Sequence, residues 1–437
     1  MMEKETKFKQ TEIGMIPEDW EVKKIKDIGN VITGKTPSTI VKEYFSLDFP
    51  FIKIPDLGKS VYVDATEEML SKKGAELMSS LRLPKDSVMF LCLATIGKVG
   101  ITKTDSFTNQ QINSVVPDKR KVTPLWIYYF LKNNISYLES LGGGGSVYTN
   151  ISKSKFENAL VVFPKIDEQE RIAKILFSLD SKIELNQTMN KTLEAIGQAI
   201  FKHWFVDFEF PNEEGKPYKS SDGEMVYNEE LRKEIPKGWR VGRLGDYGTF
   251  KNGINYLRNE TGDTDFFIVN VRDIANNKLL LKESLDKINI DFKKAKEYLL
   301  NDKDILIARS ASPGEVSLVL GNLEKVIYSG FSIRYRLNNS NNFLYFFLIL
   351  QGLKENLLNF SIGTTLQSVN QETLKNMKFI LPSNDILKEF NKAIEKIFDK
   401  TYNNLIQIQT LSQIRDSLLP KLISGKIRIP LEDKDND

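Results

Sequence analysis

Apolar positions along this chain follow two periods that alternate twice. Short runs such as Phe51-Ile52-Lys53-Ile54, Val88-Met89-Phe90-Leu91 and Ile305-Leu306-Ile307 sit between turn residues and predict strands, while aromatic-rich stretches at 125–131 and 343–350 predict buried helices. After each mixed segment comes a proline, Pro164 or Pro382, and then the period changes. Ile172, Leu176, Leu179, Ile183, Asn186, Asn190, Leu193, Gly197 and Ile200 are spaced alternately four and three apart, as are Phe390, Ile394, Ile397, Thr401, Asn404, Ile408, Leu411, Arg415 and Leu418. This is the heptad seam of a coiled coil, and it predicts two long helices of about 30 residues, ~45 Å each. Polar residues interrupt both seams midway. Asn186 and Asn404, 218 positions apart, carry two readings: buried markers that fix register at some cost in stability, or residues turned to solvent.

The alternation is a duplication. Ile16-Pro17-Glu18-Asp19-Trp20-Glu21-Val22 returns as Ile235-Pro236-Lys237-Gly238-Trp239-Arg240-Val241, and Asp27-Ile28-Gly29 as Asp246-Tyr247-Gly248. Pro55-Asp56-Leu57 then matches Arg272-Asp273-Ile274 and Gly97-Lys98-Val99 matches Gly314-Glu315-Val316, all at offsets of 217 to 219 residues. The expected fold is α/β (α+β): a first globular domain at 1–164, a central helix at 165–204, a charged, turn-rich linker at 205–234, a second globular domain at 235–382, a C-terminal helix at 383–425 and a tail at 426–437. With the units related by a pseudo-two-fold axis, the two helices run antiparallel. Two large units in tandem suit a two-fold-symmetric ligand, and duplex DNA is the commonest one.

Composition narrows the class only a little. Of 437 residues, 41% are apolar and 27% charged, as in an ordinary folded protein. The single cysteine, Cys92, excludes an intramolecular disulfide and fits a reducing cytoplasm as a buried, inert thiol. The first ten residues alternate charges and do not read as a signal peptide, and the run at 343–350 is too short to cross a bilayer, so no membrane association is expected. Net charge is +3, from 61 basic and 58 acidic residues, which permits nucleic acid without demanding it.

Candidate chemistry begins with a motif that fails. Gly29-Asn30-Val31-Ile32-Thr33-Gly34-Lys35-Thr36 fits the phosphate-binding pattern G-x-x-x-x-G-K-[ST]. The stretch before it is too charged for a central strand, Pro37 follows at once, and the second copy keeps Gly248 and Gly253 but has Ile254-Asn255 in place of Lys35-Thr36. The glycines therefore read as a turn requirement. One histidine, His203, leaves no histidine-metal cluster and little general-base chemistry. There is no Asn-Pro-Pro-aromatic tetrapeptide or glycine signature for S-adenosylmethionine, and the acidic stretch at 211–216 reads as a solvated turn, so no catalysis is expected.

Polar loops are the better sites. Glycine lets backbone amides approach phosphate, and Ser, Thr, Asn and Gln donate to phosphate or base edges. DNA-binding candidates are Gly145, Ser146 and Asn150 in the first such loop and Gly363, Thr364, Thr365, Gln367 and Ser368 in the second. Asn109, Gln110, Gln111 and Arg309 could read adenine or guanine edges, and Lys98 could hold a phosphate. Each residue also has a purely structural reading.

The chain resembles the specificity subunit of type I restriction-modification systems along nearly its whole length. The residues that carry this are Lys9-Gln10-Thr11-Glu12-Ile13-Gly14-Met15-Ile16-Pro17-Glu18-Asp19-Trp20, the helix entry Pro164-Lys165-Ile166-Asp167-Glu168-Gln169-Glu170-Arg171-Ile172-Ala173, Phe201-Lys202-His203-Trp204-Phe205-Val206-Asp207-Phe208, and Leu418-Leu419-Pro420-Lys421-Leu422-Ile423-Ser424-Gly425-Lys426-Ile427. The resemblance implies two target recognition domains, each reading half of a split DNA sequence, with the paired helices as ruler and docking site. It also implies two methyltransferase subunits supplying S-adenosylmethionine and adenine N6 chemistry, and restriction subunits supplying ATP- and Mg-dependent cleavage. This chain would bind no cofactor and no metal. The second helix entry, Pro382-Ser383-Asn384-Asp385-Ile386, lacks the Glu-Gln pair, which implies some asymmetry in subunit contact. Rival readings are the DNA-recognition subunit of another multi-subunit restriction system, a protein-binding coiled-coil scaffold, and a phosphate-loop enzyme.

Overall fold

In a computed structural model, the described residues are 6–93, 97–142, 150–257, 260–321, 323–352 and 369–429. They divide into two units, the first running to Gln187 and resuming at Gln407, the second spanning Thr188–Ile406.

The first unit opens with a hairpin, Phe8–Thr11 against Gly14–Pro17. Its five-stranded sheet has the order Gly29–Thr33, Ile112–Pro117, Val88–Leu91, Val99–Thr102, Tyr62–Val63, antiparallel except for the last pair. A three-stranded sheet sets Phe45–Ile52 between Phe107–Thr108 and Glu68–Leu70. The run at 88–91 is apolar without a break because both faces of its strand are covered. Met89 and Leu91 join one core with Ile52 and Ile112, while Val88 and Phe90 join another with residues of α1 (Pro124–Asn133) and α2 (Ile166–Phe205). Thr123 caps α1 by accepting from the Trp126 amide, and Pro124 at its first turn gives up no hydrogen bond.

The second unit repeats this strand for strand. A hairpin of Met225–Asn228 and Lys233–Pro236 precedes a five-stranded sheet in the order Gly248–Asn252, Ser332–Leu337, Ile305–Ala308, Val316–Val319, Leu279–Leu280. Thr264–Val269 is the middle strand of its three-stranded sheet. Helices α3 (Phe343–Gln351) and α4 (Asn384–Ile423) follow.

Two expectations change. The linker at 205–234 belongs to the second unit: its hairpin is the counterpart of Phe8–Pro17, and Phe208 and Phe210 are buried, with ring centroids 5.8 and 4.8 Å from that of Trp239. The rods are ~60 Å rather than ~45 Å, because each helix has 40 residues, close to the expected bounds of 165–204 and 383–425, and not the about 30 that its seam spans. Helix α2 outruns its seam because Phe205 packs among Tyr345 and Phe390, at 4.7 Å from each.

Every seam position is buried or half-buried. In the first unit the Asn186 amide donates to Gln407 Oε1 (2.7 Å) and Arg415 to Asp180 (2.7 Å); in the second, the Asn404 amide donates to Asn190 Oδ1 (2.8 Å) and that of Asn190 to the Thr401 carbonyl (3.3 Å). Partner numbers fall on one helix as they rise on the other, so the segments pair antiparallel within each unit. Asn186 and Asn404 are 1% and 2% exposed and so take the buried reading.

Gly197 is buried in α2, yet a methyl group added to it would meet nothing within 4 Å. Gly197→Ala should therefore stabilise the protein by about 1 kcal/mol through helix propensity alone, measurable as a rise in the urea midpoint at constant m-value.

Candidate nucleic-acid interface

Four segments of the first unit meet at one end of its five-stranded sheet. The chain leaves the first strand at Gly34, whose amide donates to the Ile112 carbonyl, and the Lys35 amide donates to that of Thr108. Thr36 Oγ1 donates to Gln110 Oε1 at 2.7 Å. The Cys92 amide donates to Gln111 O (3.0 Å), the Ile151 amide to Cys92 O (3.1 Å), and Leu93 bridges to Asn150. Asn109, Gln110, Gln111 and Asn150 are thus brought together. Asn109 spends its amide locally, donating to Gln111 Oε1 and accepting from the Gln111 amide, while Lys35, Gln110 and Asn150 are exposed. Lys98 stands in the turn at the same end, but its Nζ donates to the Ile54 carbonyl (3.3 Å).

The second unit builds the same edge with different side chains. The Gly253 amide donates to Ser332 O, that of Gly330 to Ile254 O, that of Arg309 to Phe331 O and that of Val369 to Arg309 O, the last two at 2.9 Å each. Arg309 occupies the place of Cys92, half-buried, and its guanidinium has no hydrogen-bond partner among the described residues. Gly145, Ser146, Gly363, Thr364, Thr365, Gln367 and Ser368 lie outside the described residues.

The glycines at this edge are explained by close approach rather than by a turn. Gly29, at the opposite end of the first strand, is extended (φ −177°), and Gly29–Thr33 is followed by a loop rather than an α-helix, so the strand–loop–helix order of a phosphate loop is not formed here. A Cβ on Gly34 would lie 2.2 Å from the Thr108 carbonyl oxygen, and one on Gly253 would lie 2.2 Å from that of Ser329. No metal-holding group of three His, Cys, Asp or Glu occurs among the described residues. Burial pushes the Cys92 thiol up to about 12, where it is no nucleophile, and Asn113 Nδ2 donates to its sulfur (3.1 Å).

Sequence reasoning passed over three apolar residues here. Ile40, Leu257 and Phe331 are 88%, 77% and 66% exposed, on loops leaving this end of each sheet. The sequence repeat, at offsets of 217 to 219, does not align this position; the matching backbone hydrogen bonds from Cys92 to Gln111 and from Arg309 to Phe331 set Phe331 opposite Gln111.

The helix entry proves to be an internal lock. Gln169 is buried, accepting from the Thr123 amide and donating to the Pro164 and Lys121 carbonyls. Glu168 accepts from Trp20 Nε1 (3.0 Å) and Arg428 Nε (2.6 Å), and Arg428 also grips Asp19 through two bonds of 2.9 Å. The expected tail therefore contributes Arg428 to the first unit. At the second entry Ile386 and Leu387 replace the Glu-Gln pair, and Phe210 stacks on Trp239 where the first unit has an ion pair, so this departure is a change of packing.

The Arg428 hydrogen bond holds the Asp19 carboxyl below its ordinary value of 3.8. With the folded value below the unfolded one, this clasp stabilises fully above pH 3.8 and is lost as pH falls through the depressed value. Between about pH 6 and about pH 3 the melting temperature of the wild type should fall more than that of Arg428→Gln, as read by thermal unfolding across that range.

Known proteins share this architecture. The family model for the type I restriction modification DNA specificity domain matches twice, at residues 17–195 and 236–416. The type I restriction enzyme MjaIX specificity subunit of Methanocaldococcus jannaschii is 36% identical over 433 residues, 97% of each chain. The HindI specificity subunit of Haemophilus influenzae is 37% identical over 187 residues, 42% of this chain and 40% of its own. A crystal structure of a type I restriction-modification S subunit from M. genitalium has the same fold, with a TM-score of 0.55 at 16% identity, covering 92% of this chain and 96% of that one. The doubled domain and the full-length kinship together show that the chain belongs to the type I restriction-modification DNA specificity family.

Proposed function

We propose that this chain is the non-catalytic DNA-reading subunit of a type I restriction-modification complex, with each unit reading one half of a bipartite target. The observation that carries this is the repeated sheet edge. Equivalent loops are held by the same backbone hydrogen bonds in both units, yet they present Gln110 and Gln111 in one and Gly330 and Phe331 in the other. A constant frame with differing tips is what two unlike half-sites require. Base contacts of about 1–3 kcal/mol each give discrimination, and exposed lysines such as Lys35 hold phosphates. Each half binds weakly alone, and linkage through α2 and α4 makes the second contact intramolecular. The helices set the gap and dock two methyltransferase subunits, which bring S-adenosylmethionine and flip the target adenine. Restriction subunits bring ATP and Mg.

Co-expressing the chain with its methyltransferase partner and mapping modified adenines across a genome tests this. The expected result is one motif of two specific halves around a fixed gap. Methylation with no sequence preference sinks the proposal.

A further inference from the structure

The geometry points to Phe331 as a base-stacking residue that sets specificity in the half-site read by the second unit. This rests on the DNA-reading function proposed above and names the side chain through which one half is read.

Ile40, Leu47, Leu257 and Phe331 are the four most exposed large apolar side chains among the described residues. Single exposed apolar residues are ordinary. Three of these four, however, stand on loops leaving the same end of the two equivalent sheets, and Phe331 is joined to the polar candidate Arg309, whose amide donates to its carbonyl. Phe331 is the only aromatic of the four, and its backbone is fixed: its carbonyl accepts from the Arg309 amide, the adjacent Gly330 amide donates to Ile254 O, and Ser332 begins a strand in the middle of the sheet. Among the described residues its ring has no aromatic or cationic partner. A rigid backbone thus presents a bare ring to solvent beside the half-buried Arg309. Exposed aromatic faces take bases by stacking, and apolar wedges enter steps that unstack readily, above all pyrimidine–purine steps. Gln111 stands at the matching place in the first unit and shares the backbone hydrogen bond, so stacking belongs to the second half-site alone.

The test uses the full chain with its methyltransferase partner and genome-wide mapping of modified adenines. Phe331→Ala should reduce discrimination at one pyrimidine–purine step of one half-site about tenfold, leave the other half unchanged, and be rescued by Phe331→Tyr. Gln110→Ala, at the other unit's edge, should blur the opposite half and so assign halves to units. Phe331 lies outside the core, so the melting temperature of Phe331→Ala should match the wild type. An unaltered motif in Phe331→Ala, at any overall rate, overturns the inference while leaving the DNA-reading function standing. A wild type without a bipartite motif removes the ground beneath both.

Discussion

Replacing Asp180 with alanine should destabilise the first unit by about 3–5 kcal/mol, seen as a lowered urea midpoint for that unit's transition. Asp180 is buried on α2, where it accepts from Tyr129 Oη of α1 (2.9 Å) and from Arg415 of α4 (2.7 Å), with Lys132 Nζ 3.6 Å away. Removing the carboxylate leaves a buried hydroxyl without its acceptor and a largely buried guanidinium that keeps only the exposed Asp416, 2.9 Å from its Nε. Neither can recover water without opening the helix contact, so the loss exceeds that of a surface pair, about 0–1 kcal/mol. Burial, reinforced by the Asp180 charge, keeps the Tyr129 hydroxyl protonated, so it remains a donor throughout the ordinary pH range. The sequence offset of 218 identifies the same layer in the second unit as Phe398 and Gly197, with Phe347 opposite Tyr129. That layer is apolar, so the fold tolerates an uncharged solution. Asp180→Leu combined with Arg415→Leu should accordingly recover most of what Asp180→Ala loses. A double variant as unstable as the single one would show that size and shape, rather than the unpaired charge, set the loss.

This layer also shows what a single sequence reveals. The seam was legible because its spacing persists over many turns, and Arg415 could be assigned to it by spacing alone. Its partner could not, because Asp180 lies one residue beyond the seam position Leu179 and is drawn inward by Tyr129, a residue 51 positions away. The glycines at Gly34 and Gly253 read from sequence as a turn requirement, whereas only the folded sheet reveals the neighbouring carbonyl 2.2 Å from each absent Cβ. The hairpin at 225–236 shows no period because its strands are only four residues long, Met225–Asn228 and Lys233–Pro236, too short for apolar and polar positions to alternate more than once. At the candidate interface the polar readers could be named from residue type. Their meeting at one edge depends on pairings between segments about 20 to 80 residues apart, and an apolar residue such as Phe331 reads as core until its exposure is known.

Four residues inserted into both long helices, after Gln187 and after Ile406, should widen the gap between the two half-sites by one or two base pairs while leaving the halves themselves unaltered. These points separate the Asn186–Gln407 layer from the Asn190–Asn404 layer, so both polar pairs remain intact in their own units. Four residues add ~6 Å of rise and advance the helix face by ~40° past a full turn. DNA rises ~3.4 Å per base pair and turns about 35°. Length therefore allows nearly two added pairs and rotation favours one, so both constraints can be met together. Two inserted residues serve as the contrast. They add only ~3 Å but swing the face by ~200°, which turns each seam away from its partner and should abolish methylation at every spacing. Mapping modified adenines for both variants decides the matter. An unchanged gap after the four-residue insertion would mean that the helices hold the units together without measuring the distance between the bases they read.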